Sequence, residues 1–153
     1  MQTQAQFETV WQAAIRYLAV KSYSVGEISQ KLRDKRLPQP LIMQVIRKLE
    51  ELDFVNDRRY AQIYVENLKR YRYEGYYGIK KKLIGKKIPS DILEETLDSF
   101  YTPEEEAQVA ARYAAKLKRQ GRTTFEQLAR SLTSKGFRAA CIRQAIKRAD
   151  SFE

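Results

Sequence analysis

The chain has 153 residues, 43% apolar and 31% charged, with 29 Lys or Arg against 19 Asp or Glu and a net charge of +10. It has no histidine and a single cysteine, Cys141, which excludes His-based catalytic triads, His-containing zinc sites and an internal disulfide. The excess is spread, with eight cations against six anions in 1–56, ten against seven in 57–100 and eleven against six in 101–153; such a balance fits a polyanionic partner and is not a basic tail.

The chain opens MQTQAQFETVWQ, which lacks the basic stretch and apolar run of a secretory signal. No apolar run approaches the ~20 residues of a membrane span, and a lone cysteine suits a reducing compartment, so a cytoplasmic, soluble protein is expected. Apolar residues recur at threes and fours, the period of helices. Phe7 and Trp11 lead into the first helix and are expected to dock on a core. That helix carries an apolar pair at Ala13 and Tyr17, four apart.

Three segments superpose without a gap: SVGEISQKLRDKRLPQPLIMQVI (24–46), GYYGIKKKLIGKKIPSDILEETL (75–97) and TFEQLARSLTSKGFRAACIRQAI (124–146). Apolar residues share columns at Ile28, Ile79 and Leu128, at Leu32, Leu83 and Leu132, and at Leu37, Ile88 and Phe137. The columns continue at Leu41, Ile92 and Cys141, and at Ile46, Leu97 and Ile146. A step of four keeps two residues on one helix face, and the following step of five across a polar patch marks a turn into a second helix. A preceding helix repeats too, pairing Ala13 with Tyr17, Tyr64 with Leu68 and Tyr113 with Leu117. The pattern predicts an all-α fold of three tandem three-helix repeats, 1–56, 57–101 and 102–153, stacked in an elongated, curved array. Cys141 falls in a core column and is read as a small packing residue rather than a reactive thiol.

Helix ends follow in order. Ser24 with Glu27 and Thr124 with Gln127 have the spacing of capping boxes, and Asn56-Asp57 is expected to cap the fourth helix. Thr102-Pro103 followed by Glu104, Glu105 and Glu106 places an N-cap, a first-turn proline and three acids at the positive end of a helix dipole. Consecutive acids point apart around a helix, so they are read as dipole partners and not as a metal cluster. Lys35, Lys86 and Lys135 share a column at helix C-termini.

These residues together resemble the RecX family. Tyr23-Ser24-Val25-Gly26-Glu27-Ile28 with Lys31-Leu32 resembles its first-repeat signature, and Phe54-Val55-Asn56-Asp57-Arg58-Arg59-Tyr60-Ala61 the motif that opens its second repeat. Gly75-Tyr76-Tyr77-Gly78-Ile79 is similar to its glycine-rich second hairpin, and Leu132-Thr133-Ser134-Lys135-Gly136-Phe137 to its third repeat. The family usually has Arg where Tyr23 stands, and Gly where Arg36 and Lys87 stand. A non-Gly residue just past a helix end costs about 1 kcal/mol in the left-handed conformation, so the first two hairpin turns are expected to differ in geometry from the third. The resemblance implies a regulator that binds along the groove of the RecA–single-stranded DNA filament and damps strand exchange, ATP hydrolysis and repressor cleavage. No cofactor is expected, and the protein is expected to be monomeric.

The stretch Lys69 to Lys87 holds eight Lys or Arg and four Tyr. With Ile79 facing the core, Tyr76 is expected to pack beside it, while Tyr77, Lys80, Lys81 and Ile84 turn toward the outside. On the helix before, Arg59, Glu66 and Arg70 point outward with Lys69 at the flank, and Arg72 and Tyr73 lie in the connection. The candidate contact set is therefore Lys69, Arg70, Arg72, Tyr73, Tyr77, Lys80 and Lys81. Tyr64 and Tyr113 belong to a repeat column and are assigned to packing. The alternative reading is a nucleic-acid binder that acts without RecA, since charge shared by three modules favours backbone contacts over base readout. An enzyme is not expected: no phosphate-cradling glycine loop, nucleophile elbow or ligand cluster is present.

Overall fold

The computed structural model describes residues 4–150, and these contain nine α-helices and no strand. They are α1 Gln4–Val20, α2 Val25–Asp34, α3 Gln39–Glu51, α4 Asp57–Tyr71, α5 Tyr76–Gly85, α6 Ser90–Phe100, α7 Pro103–Arg119, α8 Phe125–Ser134 and α9 Ala139–Asp150. Residues 1–3 and 151–153, at the outer limits of the two end modules, lie outside this description. Each run of three helices packs mainly on itself, the first helix lying against the third and the second bracing both. The surface is 9450 Å², above the roughly 8,000 Å² expected of a compact monomer of 18.0 kDa, as an array of small modules requires.

The repeat columns are the core. Of the fifteen aligned positions, all but Leu37 and Ile92 are buried, and those two are half-buried against it. Phe7 and Trp11 stack with ring centroids 6.2 Å apart and pack on the first module's core. Cys141 is buried among α7 and α9 residues; burial first, then its hydrogen bond to Glu106, pushes its thiol up to about 12, so it is inert at neutral pH. The first module has a core of its own, whereas the second and third share one that runs from Ala61 to Ala149. Small residues explain the fusion: Ala110, Ala111 and Ala114 let α7 approach its neighbours closely.

The capping boxes at Ser24, Thr102 and Thr124 are present, and Asn56 caps α4 by accepting from Arg59 N–H. Lys35, Lys86 and Lys135 are the C-cap residues of α2, α5 and α8. The expected difference between hairpin turns is absent. Arg36, Lys87 and Gly136 follow these caps with φ of 59°, 61° and 83°, and each turn closes by the same bond, from Leu37, Ile88 or Phe137 N–H to the carbonyl of Leu32, Leu83 or Leu132. Satisfying the last helical carbonyls outweighs the strain of a side chain in the left-handed region. Arg36 is exposed at this cost, so Arg36→Gly is expected to raise the unfolding free energy by about 0.5–1 kcal/mol in urea titration. A loss of stability would show that the turn is not strained.

Modules meet through one joint used twice. At the first, the Ser24 hydroxyl donates to Lys86 O at 2.6 Å and Val25 N–H to the Asp57 carboxylate at 2.8 Å; Gly26 lies so near Lys87 that a Cβ on it would stand 2.5 Å from the lysine Cβ. At the second, in the same columns, Gly75 N–H donates to Lys135 O at 2.9 Å, Tyr76 N–H to the Glu106 carboxylate at 2.8 Å and Tyr77 N–H to Gly136 O at 2.9 Å. Asp57 and Glu106 thus serve the start of the preceding module's second helix, where free N–H groups and the dipole favour an anion. Both also stand in the first turn of their own helices, as expected, so the joint is a second role. Glu105, in contrast, closes the Thr102 box, and Glu104 is exposed.

Glu106 is fully buried. Besides Tyr76 it accepts from Arg138 N–H at 3.1 Å, from Arg138 Nε at 2.6 Å and from Cys141 Sγ at 3.1 Å. The Arg138 guanidinium lies 4.1 Å from the Tyr76 ring centroid. Tyr76 is half-buried as expected, with its hydroxyl pushed above the usual range by burial.

Candidate polyanion interface

Three clefts of the array share wall residues. The first, between the first two modules, is lined by Tyr23, Tyr60, Ile63, Tyr64 and Asn67 among others. The second, about 1010 Å³, shares Tyr64 and Asn67 and adds Tyr71, Arg72, Lys82, Lys86 and Lys135. The third shares Lys135 and adds Tyr113, Arg122 and Arg130. Together they form a groove across all three modules.

In the second and third clefts, Arg72, Lys82, Lys86, Arg122, Arg130 and Lys135 stand against one lining carboxylate, Glu74, which Lys82 holds at 2.7 Å. Glu74 is buried, and its backbone carbonyl accepts from the Tyr101 hydroxyl at 2.6 Å. Five cations therefore have no lining acid to answer them, and the low-dielectric walls between modules focus their field outward.

The C-cap lysines are seated on rings. Lys86 lies 5.9 Å from the Tyr64 centroid, Lys135 5.8 Å from Tyr113 and Lys35 5.4 Å from Tyr17. In the first module Ala13 takes the column of Tyr64 and Tyr113, so the ring comes from one turn later. Ring quadrupole and helix C-terminus hold each ammonium in place. A lysine already ordered loses less freedom on meeting a phosphate.

The candidate contact set divides among several environments. Arg72 lines the groove and is exposed. Tyr73 does not reach into solvent: with φ of 51° it folds back, stacks on Tyr113 at 5.4 Å and takes Lys116 over its face at 5.1 Å. Lys69, only 15% exposed at its side chain, bonds Phe100 O at 2.7 Å and pairs with Glu66 and Glu105, tying α4 to α7. Its charge is answered within the fold, in contrast to the flanking, accessible position expected of it. Arg70 is exposed beside Lys69 in a separate cleft between α4 and α7. Tyr77 and Ile84 are 57% and 59% exposed and share the outer side of α5 with Lys81, which is exposed, and Lys80, which is half-buried. None of these four lines the groove.

Sequence reading missed the groove because its lysines were assigned to helix ends and its tyrosines to packing, and each has both roles. The available signal was the column pairing: Lys86 follows Tyr64, and Lys135 follows Tyr113, by the same 22 residues.

A model of the RecX first three-helix domain matches residues 11–49. A regulatory protein RecX from Bacillus pumilus (strain SAFR-032) is 32% identical over 144 residues, 91% of this chain and 54% of that protein. The crystal structure of RecX from Lactobacillus salivarius superposes with a TM-score of 0.89 at 27% identity, covering 97% of this chain and 99% of the other. The chain belongs to the RecX family. It spans about half the length of the RecX proteins from Bacillus and Lactococcus, 54% and 52%. It covers 88% of the RecX protein from Prosthecochloris aestuarii (strain DSM 271 / SK 413), at 27% identity. The RecX match to helices of the first module and the superposition of the whole array agree on tandem helical repeats. Among the described residues no helix is long and apolar enough to cross a membrane.

Proposed function

We propose that this RecX-family chain regulates RecA by binding the RecA–single-stranded DNA filament, with the groove as the surface that meets the nucleic acid. The observation that carries the reading is a tyrosine-lined groove whose unanswered cations come from the second and third modules rather than from one helix. A reader of base edges places one recognition helix with Arg, Asn or Gln in a major groove. Lysines repeated at the end of the second helix of successive modules instead suit a phosphate chain followed over a distance, with rings available for unpaired bases. Binding would oppose filament growth or loosen it, and so damp strand exchange, ATP hydrolysis and repressor cleavage.

The test compares binding to a single-stranded oligonucleotide with and without RecA at matched salt. Markedly tighter binding to the RecA-coated strand supports the reading; tight binding indifferent to RecA would make the chain a nucleic-acid binder that acts alone. Arg72→Ala, Lys86→Ala and Lys135→Ala combined are expected to preserve helicity and to make the slope of log affinity against log salt shallower by about 2, as three lost phosphate contacts on a single strand require. An unchanged slope would remove these residues from the interface.

A further inference from the structure

Along the groove the chemistry of the walls changes. The second and third clefts carry the unanswered cations, whereas the first, of about 180 Å³, is lined chiefly by rings and aliphatic side chains. Its one cation, Arg59, is tied to Asp53, meeting the carboxylate at 2.5 Å and the backbone carbonyl at 3.1 Å. Tyr23 makes the difference. It falls in the column of Glu74, the acid of the second cleft, and puts a buried ring where that cleft has a carboxylate. Tyr60 and Tyr64, one turn apart on α4, lie nearly parallel, with 13° between their planes and centroids 6.1 Å apart. Phe54 and Ile63 in the same lining are 51% and 54% exposed, an apolar surface open to a ligand.

We propose that the first cleft seats one unpaired nucleobase of a strand whose phosphates follow the second cleft, so that preference for single-stranded over paired nucleic acid resides there. This assignment rests on the groove being the nucleic-acid surface, and adds to it the place where a base is recognised.

The junction of the two clefts fits such a ligand. Tyr64 and Asn67 wall both. Lys86, in the second cleft and 5.9 Å from the Tyr64 centroid, is placed to hold a phosphate whose base then lies beside the first. The Asn67 carboxamide is exposed at this boundary and can both donate to a base edge and accept from one. Rings give a stacking surface that takes any base, whereas a base pair is larger and has its edges already engaged. The walls come from both modules, Tyr23 and Phe54 from the first and α4 from the second, so a seated base also braces the first joint. An apolar side chain of a protein partner would suit the walls alone. The adjoining ammonium and amide call for a ligand that is apolar on its face and anionic at its tail.

The experiment has two arms, both on the full chain at low salt. In the first, the wild type is irradiated with a single-stranded oligonucleotide carrying one iodinated uracil, and the coupled residue is located by mass spectrometry. Coupling is expected to concentrate on Tyr23, Tyr60 or Tyr64 rather than on the exposed Tyr71 and Tyr77. In the second, affinity for a base-bearing oligonucleotide is compared with affinity for an abasic strand of the same length. The wild type is expected to prefer the base-bearing strand about tenfold or more. Ile63→Ala with Asn67→Ala, at two exposed positions, is expected to lose most of that preference and to keep the slope of log affinity against log salt. Equal affinity of the wild type for the two strands, full preference retained by the folded variant, or coupling spread over all the tyrosines overturns the base pocket. With the salt slope intact, the groove survives that result and the cleft is left to a side chain of a protein partner. A slope that the combined Arg72→Ala, Lys86→Ala and Lys135→Ala substitutions fail to change marks the failure of the groove, and the pocket falls with it.

Discussion

Gly136→Ala is expected to lower the unfolding free energy by about 2–4 kcal/mol, the sum of left-handed strain and overpacking at a tight contact. Strain alone is bearable, since Arg36 and Lys87 adopt the same φ with side chains. Space is what sets Gly136 apart: a Cβ there would stand 2.2 Å from Gly78 N and 2.7 Å from Gly78 Cα. Those atoms are backbone at the start of α5, so they cannot swing aside, and the joint carrying the Gly75 and Tyr77 bonds would have to open. The shared core of the second and third modules lies behind that joint. Gly85→Ala is the control, because nothing lies within 4 Å of its added Cβ; there a gain of about 0.5–1 kcal/mol is expected. Guanidinium titration of the pair checks both, and near-equal midpoints would contradict the backbone-contact account.

Glu106→Ala is expected to cost about 3–5 kcal/mol, the range for removing one partner of a buried ion pair. The loss leaves the Arg138 guanidinium half-answered where Nη2 is already buried without a hydrogen-bond partner, and it strands Tyr76 N–H and Arg138 N–H. Asp57→Ala removes the equivalent acid from the other joint. That carboxylate is only half-buried and makes a single bond, to Val25 N–H, so about 1 kcal/mol is expected, as for an ordinary cap. Thermal or denaturant unfolding of both variants gives the comparison. Equal losses would mean that burial and the Arg138 pair add nothing to Glu106.

Most of the fold was legible because apolar spacing is a direct record of which side of each helix faces inward. Ile28, Ile79 and Leu128 share a column in the sequence and a buried environment in the structure. The joint was legible only in part. Aligning apolar columns left the polar ones unread, and Glu106 was taken with its neighbours as a dipole acid although it falls in the column of Asp57. A local motif accounts for an acid near a helix start so readily that a contact 30 residues away, to Tyr76, goes unsought. Lys69 and Tyr73 show the same limit from the other direction: their sequence setting is polar and loop-like, but α7 supplies the partners, Glu105 and Tyr113. The turns at Arg36 and Lys87 show that composition weighs a residue's preference without weighing the hydrogen bonds that override it.

The most direct measurement is RecA-driven ATP hydrolysis on single-stranded DNA, titrated with the wild-type chain and with the combined Arg72→Ala, Lys86→Ala and Lys135→Ala variant. The groove account predicts that the wild type lowers hydrolysis in a saturable way and that the folded variant needs a substantially higher concentration for the same effect. Hydrolysis unaffected by the wild type would contradict regulation of RecA, and equal inhibition by the two proteins would contradict the groove.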